Sequence, residues 1–182
     1  MFSNKLFTKI GLVILLILVI FLSTFFIVDQ RYVAFVKTLG KINTENGDNP
    51  KIYAPGLQFK VPAITQVVLF DTRLRTLTSE PQKVPTKEQK FVFVDYFVKW
   101  KIKDYKQYYL VTNNYTYKTE ELLKPRVSDA LKGEFGQKTI AQVISQDREQ
   151  IMLNVLKSLQ SKASSLGIDV FDMRIKRIDL PK

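Results

Sequence analysis

An α+β fold carried on a membrane anchor is what this sequence predicts, from three observations. Residues 10–28 form a 19-residue run without a charge, residues 90–103 keep an apolar side chain at every second position, and helical stripes take over after residue 104. Period-two alternation marks a strand, and apolar spacing of three and four marks a helix with one buried face.

The first element is the apolar run from Ile10 through Leu16 and Phe21 to Val28, in which Gly11, Ser23 and Thr24 are the only residues other than Leu, Ile, Val and Phe. As a helix it reaches roughly 28 Å, close to a hydrocarbon core. Its sixteen large apolar residues contribute on the order of −5 to −10 kcal/mol to insertion. A cleaved signal peptide would have a shorter apolar stretch and small residues at its end, whereas this run closes Phe25-Phe26-Ile27-Val28-Asp29. A transmembrane helix is therefore expected over 10–28, behind a short tail at 1–9. Lys5 and Lys9 precede the run while Arg31, Lys37 and Lys41 follow it, so charge alone leaves the orientation nearly balanced.

Residues 29–182 are one domain's worth of chain, read here as two halves, 29–103 and 104–182. Residues 31–39 read as a strand closed by Gly40, and the Asn- and Gly-rich stretch 43–50 as turn. Pro55-Gly56 sets up a tight turn, Pro62 keeps the next residues out of a central strand, and 66–77 reads as one further strand. In 90–103 the even positions Val92, Val94, Tyr96, Val98, Trp100 and Ile102 point to one buried face, and the odd ones pass from Phe91 and Phe93 to Lys99, Lys101 and Lys103. A short Tyr-rich helix is expected over 104–111 and a longer one over 119–135, with Leu123, Val127, Ala130, Leu131 and Phe135 inward. Pro125 either sits in the first turn of a helix or kinks a longer one. Thr139 and Gln142 have capping-box spacing; Ile151, Val155, Leu156, Leu159 and Ala163 form the next stripe, and Gly167 suits a left-handed stop. Residues 168–180 return to strand, with alternation slipping at Val170-Phe171 as at a bulge. The early sheet is expected to carry the later helices.

The composition excludes much chemistry. Without His or Cys there is no thiol nucleophile, no Ser-His pair, no imidazole–thiolate zinc site and no disulfide. The acids to consider as base or ligand are Asp71, Asp95, Asp104, Asp129, Asp147 and Glu149; none has a recognised spacing, and Asp147 and Glu149 would point to different helix faces. No catalytic residue, cofactor or metal is expected. The tyrosines at 105, 108, 109, 115 and 117 read as packing near a membrane interface rather than as base-stacking platforms. Without Lys5 and Lys9 the domain keeps 26 basic against 17 acidic residues, a formal +9, which suits attraction to anionic lipid headgroups or is simply a solvated surface. Scattered bases without an RNA-binding or zinc-finger signature argue against nucleic acid.

The ordered motifs resemble the stomatin, prohibitin, flotillin and HflK/HflC (SPFH, band 7) superfamily, the HflC branch most of all. They are Tyr53-Ala-Pro-Gly-Leu-Gln-Phe-Lys-Val-Pro62, Asp71-Thr-Arg-Leu-Arg75, Thr86-Lys-Glu through Val94-Asp95, Trp100-Lys-Ile-Lys-Asp104, Gly136, Ile144-Ser-Gln-Asp-Arg148 and Leu166-Gly167 onward to Leu180-Pro181. Pro55, Gly56, Pro62, Asp95, Gly136, Arg148, Gly167 and Pro181 are the residues of these motifs expected to hold structure. The resemblance implies a non-enzymatic scaffold that pairs with an HflK-like protein in a hetero-oligomeric ring or cage and modulates the membrane AAA protease FtsH. The alternative it implies is a stomatin- or prohibitin-like module acting on lipids or a transporter. It further implies the bacterial inner membrane, a single pass with a cytoplasmic N-terminus and a periplasmic main domain, and an early half resting on lipid through Tyr53, Leu57, Phe59 and Ile64. Members carry a coiled coil after the Leu-Pro motif; this sequence stops at Lys182, so the coiled coil is expected to be absent and cage closure by this polypeptide weakened.

Overall fold

The computed structural model describes residues 3–45, 49–144 and 148–180, with the side chains of residues 3–8, 10, 20, 45, 49 and 148 outside the description. The chain divides into two units, Met1–Thr72 and Arg73–Lys182. The single strand expected over 66–77 is two strands, one in each unit. The first ends at Asp71; Thr72 then bonds the Arg31 carbonyl through both its amide and its hydroxyl, 3.0 Å each, and turns the chain out of the sheet.

Unit 1 opens with helix α1 (Ser3–Ser23), so the expected tail at 1–9 is largely helical. The helix stops five residues before the expected end at Val28, because Phe25–Val28 forms strand β1. An unbroken apolar run carries no period that separates helix from strand, and the aromatic and β-branched quartet Phe-Phe-Ile-Val takes the strand form once a partner is available. The unit continues with β2 (Tyr32–Thr38), β3 (Lys41–Ile42), β4 (Thr44–Glu45), β5 (Asn49–Pro50), β6 (Ile52–Tyr53), β7 (Gly56–Phe59) and β8 (Thr65–Asp71). β2 pairs antiparallel with β8 from Tyr32↔Asp71 to Thr38↔Thr65, and with β3 and β6 on its other edge. Ala34, Phe35 and Val36 are all buried, so both faces of β2 are covered, with the Phe35 and Phe70 rings 4.9 Å apart.

Unit 2 is a four-stranded antiparallel sheet with helices on one face. Strands β9 (Arg75–Thr78) and β10 (Gln82–Pro85) share one edge of β11 (Phe91–Ile102), and β12 (Ile168–Asp179) runs along the other from Phe93 to Ile102. The six even positions of β11 from Val92 to Ile102 are buried, as the alternation requires. Against them pack α3 (Thr116–Phe135) and α5 (Arg148–Ala163), through Leu123, Val127, Leu131 and Phe135 and through Ile151, Val155 and Leu159. The later helices thus cover the sheet built on the long alternating strand. Pro125 lies inside α3, so of the two readings left open it is the longer helix that forms. α2 (Tyr105–Thr112) is capped by Asp104, whose Oδ1 accepts from the Gln107 amide at 2.9 Å. The capping box opens α4 (Ile140–Ile144) reciprocally: Thr139 N–H donates to Gln142 Oε1 at 3.0 Å, and Gln142 N–H to Thr139 Oγ1 at 3.3 Å. A 3₁₀ turn, Ser164–Leu166, ends at Gly167 with φ +73°. The bulge falls at Phe171, skipped between Lys99↔Asp172 and Trp100↔Val170; a second, at Lys176, is not legible in the alternation.

Candidate functional site

The acidic residues do not converge. Asp104 is spent on its helix cap, Asp95 faces Arg177 Nη2 at 3.6 Å, Asp71 ends β8 and Asp129 lies on α3. Glu149 and Asp172 line an open groove of about 590 Å³ between α5 and β12, where Asp172 is held by Arg174 at 3.1 Å and the rest is largely Met152, Leu153, Leu156, Met173 and Ile175. Asp147 lies outside the described residues. Among the described residues no three acidic side chains come together as a metal site would need.

What unit 1 presents instead is apolar surface. β1 and β7 form a two-stranded antiparallel ribbon in the register Phe25↔Phe59, Phe26↔Gln58, Ile27↔Leu57 and Val28↔Gly56. Residues directly opposite share a face and alternate ones point the same way, so Phe25, Ile27, Leu57 and Phe59 form one row. They are 38, 78, 65 and 62% exposed, while the opposite face buries Val28 and half-buries Phe26 and Gln58. Thr24 alone separates the ribbon from α1. Thr24, itself buried, donates from its amide to Phe21 O at 3.2 Å, and its carbonyl accepts from the Lys60 amide at 2.8 Å. An edge-to-face chain of rings continues across the junction, Phe21 to Phe25 at 5.4 Å and Phe25 to Phe59 at 6.0 Å. Gly56 pairs with Val28 at φ +124°, outside the range of L side chains, so the Pro55-Gly56 turn continues directly into the ribbon.

Of the residues singled out in the sequence, Leu57 and Phe59 stand on this row. Ile64 is exposed in the loop before β8, where its carbonyl accepts from the Leu39 amide at 3.1 Å. Tyr53 is half-buried, edge-on to Phe26 at 6.1 Å on the other side of the ribbon and covered by Lys51 at 5.6 Å. It is therefore not on the open apolar row. Phe25, Ile27, Leu39 and Val61 are further exposed apolar side chains; the first two lie in the run that reads from sequence as a membrane helix. Leu16 and Phe21 lie on α1, and Ile10 is helical with its side chain outside the description. Among the described residues no helix is long and apolar enough to cross a membrane.

Two of the remaining motif residues stand where a side chain would meet backbone. A Cβ at Gly167 would stand 2.5 Å from Tyr108 N and 2.6 Å from Asp104 O, and Gly167 O accepts the Lys103 and Asp104 amides, which locks α2 against β12. A Cβ at Gly136 would meet Lys132 O at 2.9 Å. Pro62 is half-buried in the loop before β8, Arg148 begins α5 with its side chain outside the description, and Pro181 lies outside the described residues.

The ordered motifs and the ribbon-and-sheet architecture define the class, and the chain belongs to the SPFH domain / Band 7 family, whose model matches residues 26–182. Within it the chain is similar to proteins named HflC. It is 34% identical over 179 residues to Protein HflC of Buchnera aphidicola subsp. Schizaphis graminum, covering 90% of this chain and 58% of that one. It is 34% identical over 173 residues to Protein HflC of Haemophilus influenzae, covering 93% and 59%. To the Modulator of FtsH protease HflC of Escherichia coli K12 it is 28% identical over 209 residues, covering 93% and 63%. The chain thus spans about three fifths of the length of these relatives.

Proposed function

We propose that this protein is a membrane-anchored, non-enzymatic scaffold that modulates a membrane AAA protease of the FtsH kind together with an HflK-like partner. The similarity to a named modulator of FtsH protease across nine tenths of the chain carries the reading. The proposed anchor is the apolar part of α1, residues 10–23 of the charge-free run, about 21 Å of helix that enters the hydrocarbon core. With α1 in the bilayer, one residue separates its end from the ribbon, so the row Phe25, Ile27, Leu57 and Phe59 lies at the lipid boundary and replaces water with acyl chains there. The N-terminus is cytoplasmic and the SPFH domain periplasmic, on the bacterial inner membrane. The mechanism is confinement: a ring of such domains restricts which membrane substrates reach the enclosed protease and needs no chemistry of its own.

Co-purification from gently solubilised membranes tests this. Recovery of an AAA protease with an HflK-like protein is the expected outcome. Recovery of a transporter or of lipid alone would move the reading to a stomatin-like organiser, and turnover of a substrate by the pure chain would end it.

A further inference from the structure

The turn between β2 and β3 breaks a local rule at an exposed place. Thr38 pairs with Lys41, so Leu39 and Gly40 are the two loop residues of a hairpin, with φ of +50° and +84°. Two-residue hairpin loops with both φ positive favour Asn-Gly or Asp-Gly, because a short polar side chain tolerates the left-handed region and leucine does not. Leu39 accepts that strain with its side chain 81% exposed, so no packing of that side chain offsets it. The loop reached by the 3.1 Å hydrogen bond from Leu39 N–H to Ile64 O is equally unusual: Ala63 has φ +69°, and Val61 and Ile64 are 49 and 44% exposed. Strain held at an exposed apolar tip points to a surface the tip enters.

Charge identifies that surface. Lys41 is exposed beside Leu39, and Lys60 immediately precedes the loop at 61–64. The unit 1 acids with described side chains lie elsewhere: Asp29 bonds Arg31, and Asp71 pairs with Tyr32 at the opposite end of the β2–β8 ladder, about 20 Å away at the usual rise per residue. Glu45 and Asp48 fall outside the described side chains. We infer that Leu39, Val61 and Ile64 form a wedge that inserts into an anionic phospholipid surface, with Lys41 and Lys60 binding the headgroup phosphates around it. This rests on the reading that unit 1 lies against the bilayer and adds the lipid class it selects.

The test uses the full chain in vesicles. Because the sequence has no cysteine, Ala63→Cys or Phe59→Cys gives a single site for a polarity-sensitive dye. With Ala63→Cys, the dye is expected to shift blue in phosphatidylcholine vesicles containing phosphatidylglycerol and much less in phosphatidylcholine alone. Leu39→Asn suits the turn better, so the fold stays intact by circular dichroism, and the blue shift is expected to be lost. Lys41→Gln with Lys60→Gln is expected to lower the docked-to-undocked ratio about fivefold per lysine, and added salt acts the same way. A shift equal in both vesicles, or one indifferent to Leu39→Asn, overturns the inference. The Phe59→Cys reporter separates the two levels: if it shifts blue while the Ala63→Cys reporter stays polar, the wedge alone fails, and if both stay polar, the membrane-facing reading fails with it.

Discussion

Replacing Leu57 and Phe59 together by serine removes two of the four side chains of the ribbon's open row and leaves its backbone ladder to β1 in place. At 65 and 62% exposure they equal about one and a quarter fully exposed side chains. Transfer from water is worth about 1.5–3 kcal/mol for each fully buried residue of this size, so the pair supplies about 2–4 kcal/mol of docking. The proposed anchor helix holds the chain at the membrane in either case. The change therefore appears as a local equilibrium between docked and lifted ribbon, shifted by about thirtyfold to several hundredfold. The Phe25–Phe59 edge contact is lost as well, which loosens the ribbon by about 0.5–1.5 kcal/mol. A reporter is provided by Ile27→Trp, on the same row and directly opposite Leu57, read by quenching from lipids brominated near the headgroup. Strong quenching in the Ile27→Trp chain, and its loss when the two serines are added, are expected. An indole at position 27 that stays unquenched without the serines, or quenching untouched by them, would refute the argument that this row faces lipid.

Other consequences concern unit 2. Gly167→Ala places a methyl within 2.6 Å of backbone at Asp104 and Tyr108 at φ +73°; left-handed strain and forced displacement together are expected to cost about 3 kcal/mol or more, seen as a lowered thermal midpoint. Asp104→Ala removes the α2 cap and is expected to cost about 0.5–2 kcal/mol in urea titration. Burial raises the pKa of Tyr96, with Ser79 and Gln82 beside the hydroxyl only partly opposing it, and burial raises Tyr105 too. Above about pH 10 the unfolded tyrosine releases its proton while the folded one keeps it, so stability falls as pH rises towards the folded value. The Tyr96 hydroxyl makes no well-formed hydrogen bond. Tyr96→Phe should therefore leave stability near neutral pH unchanged or slightly raised, and flatten the alkaline decline in denaturant titrations at about pH 8 and about pH 11.

The features legible in the chain were those whose cause is local. Strand β11 shows itself because one buried face requires an apolar residue at every second position from Val92 to Ile102, and α3 and α5 because a helix on a sheet needs its stripe. Thr139 and Gln142, Gly167 and the bulge at Phe171 each follow from a few neighbouring residues. The family was legible from motif order alone, without any pairing being known.

Tertiary partners decided the rest. Phe25–Val28 looks like the end of a helix until Gly56–Phe59 is beside it, and nothing inside the quartet announces a strand about 30 residues away. The break after Asp71 depends on Thr72 reaching the carbonyl of Arg31, and the short edge strand Gln82–Pro85 exists only because β11 offers it a ladder. Exposure is non-local in the same way. Leu39, Ile27, Leu57 and Phe59 are as apolar as any core residue, and their place on an open surface follows from which strands pair and which face that pairing leaves uncovered. Side-chain chemistry specifies what must leave water; the pairing of distant backbone decides which of those groups the fold itself cannot cover.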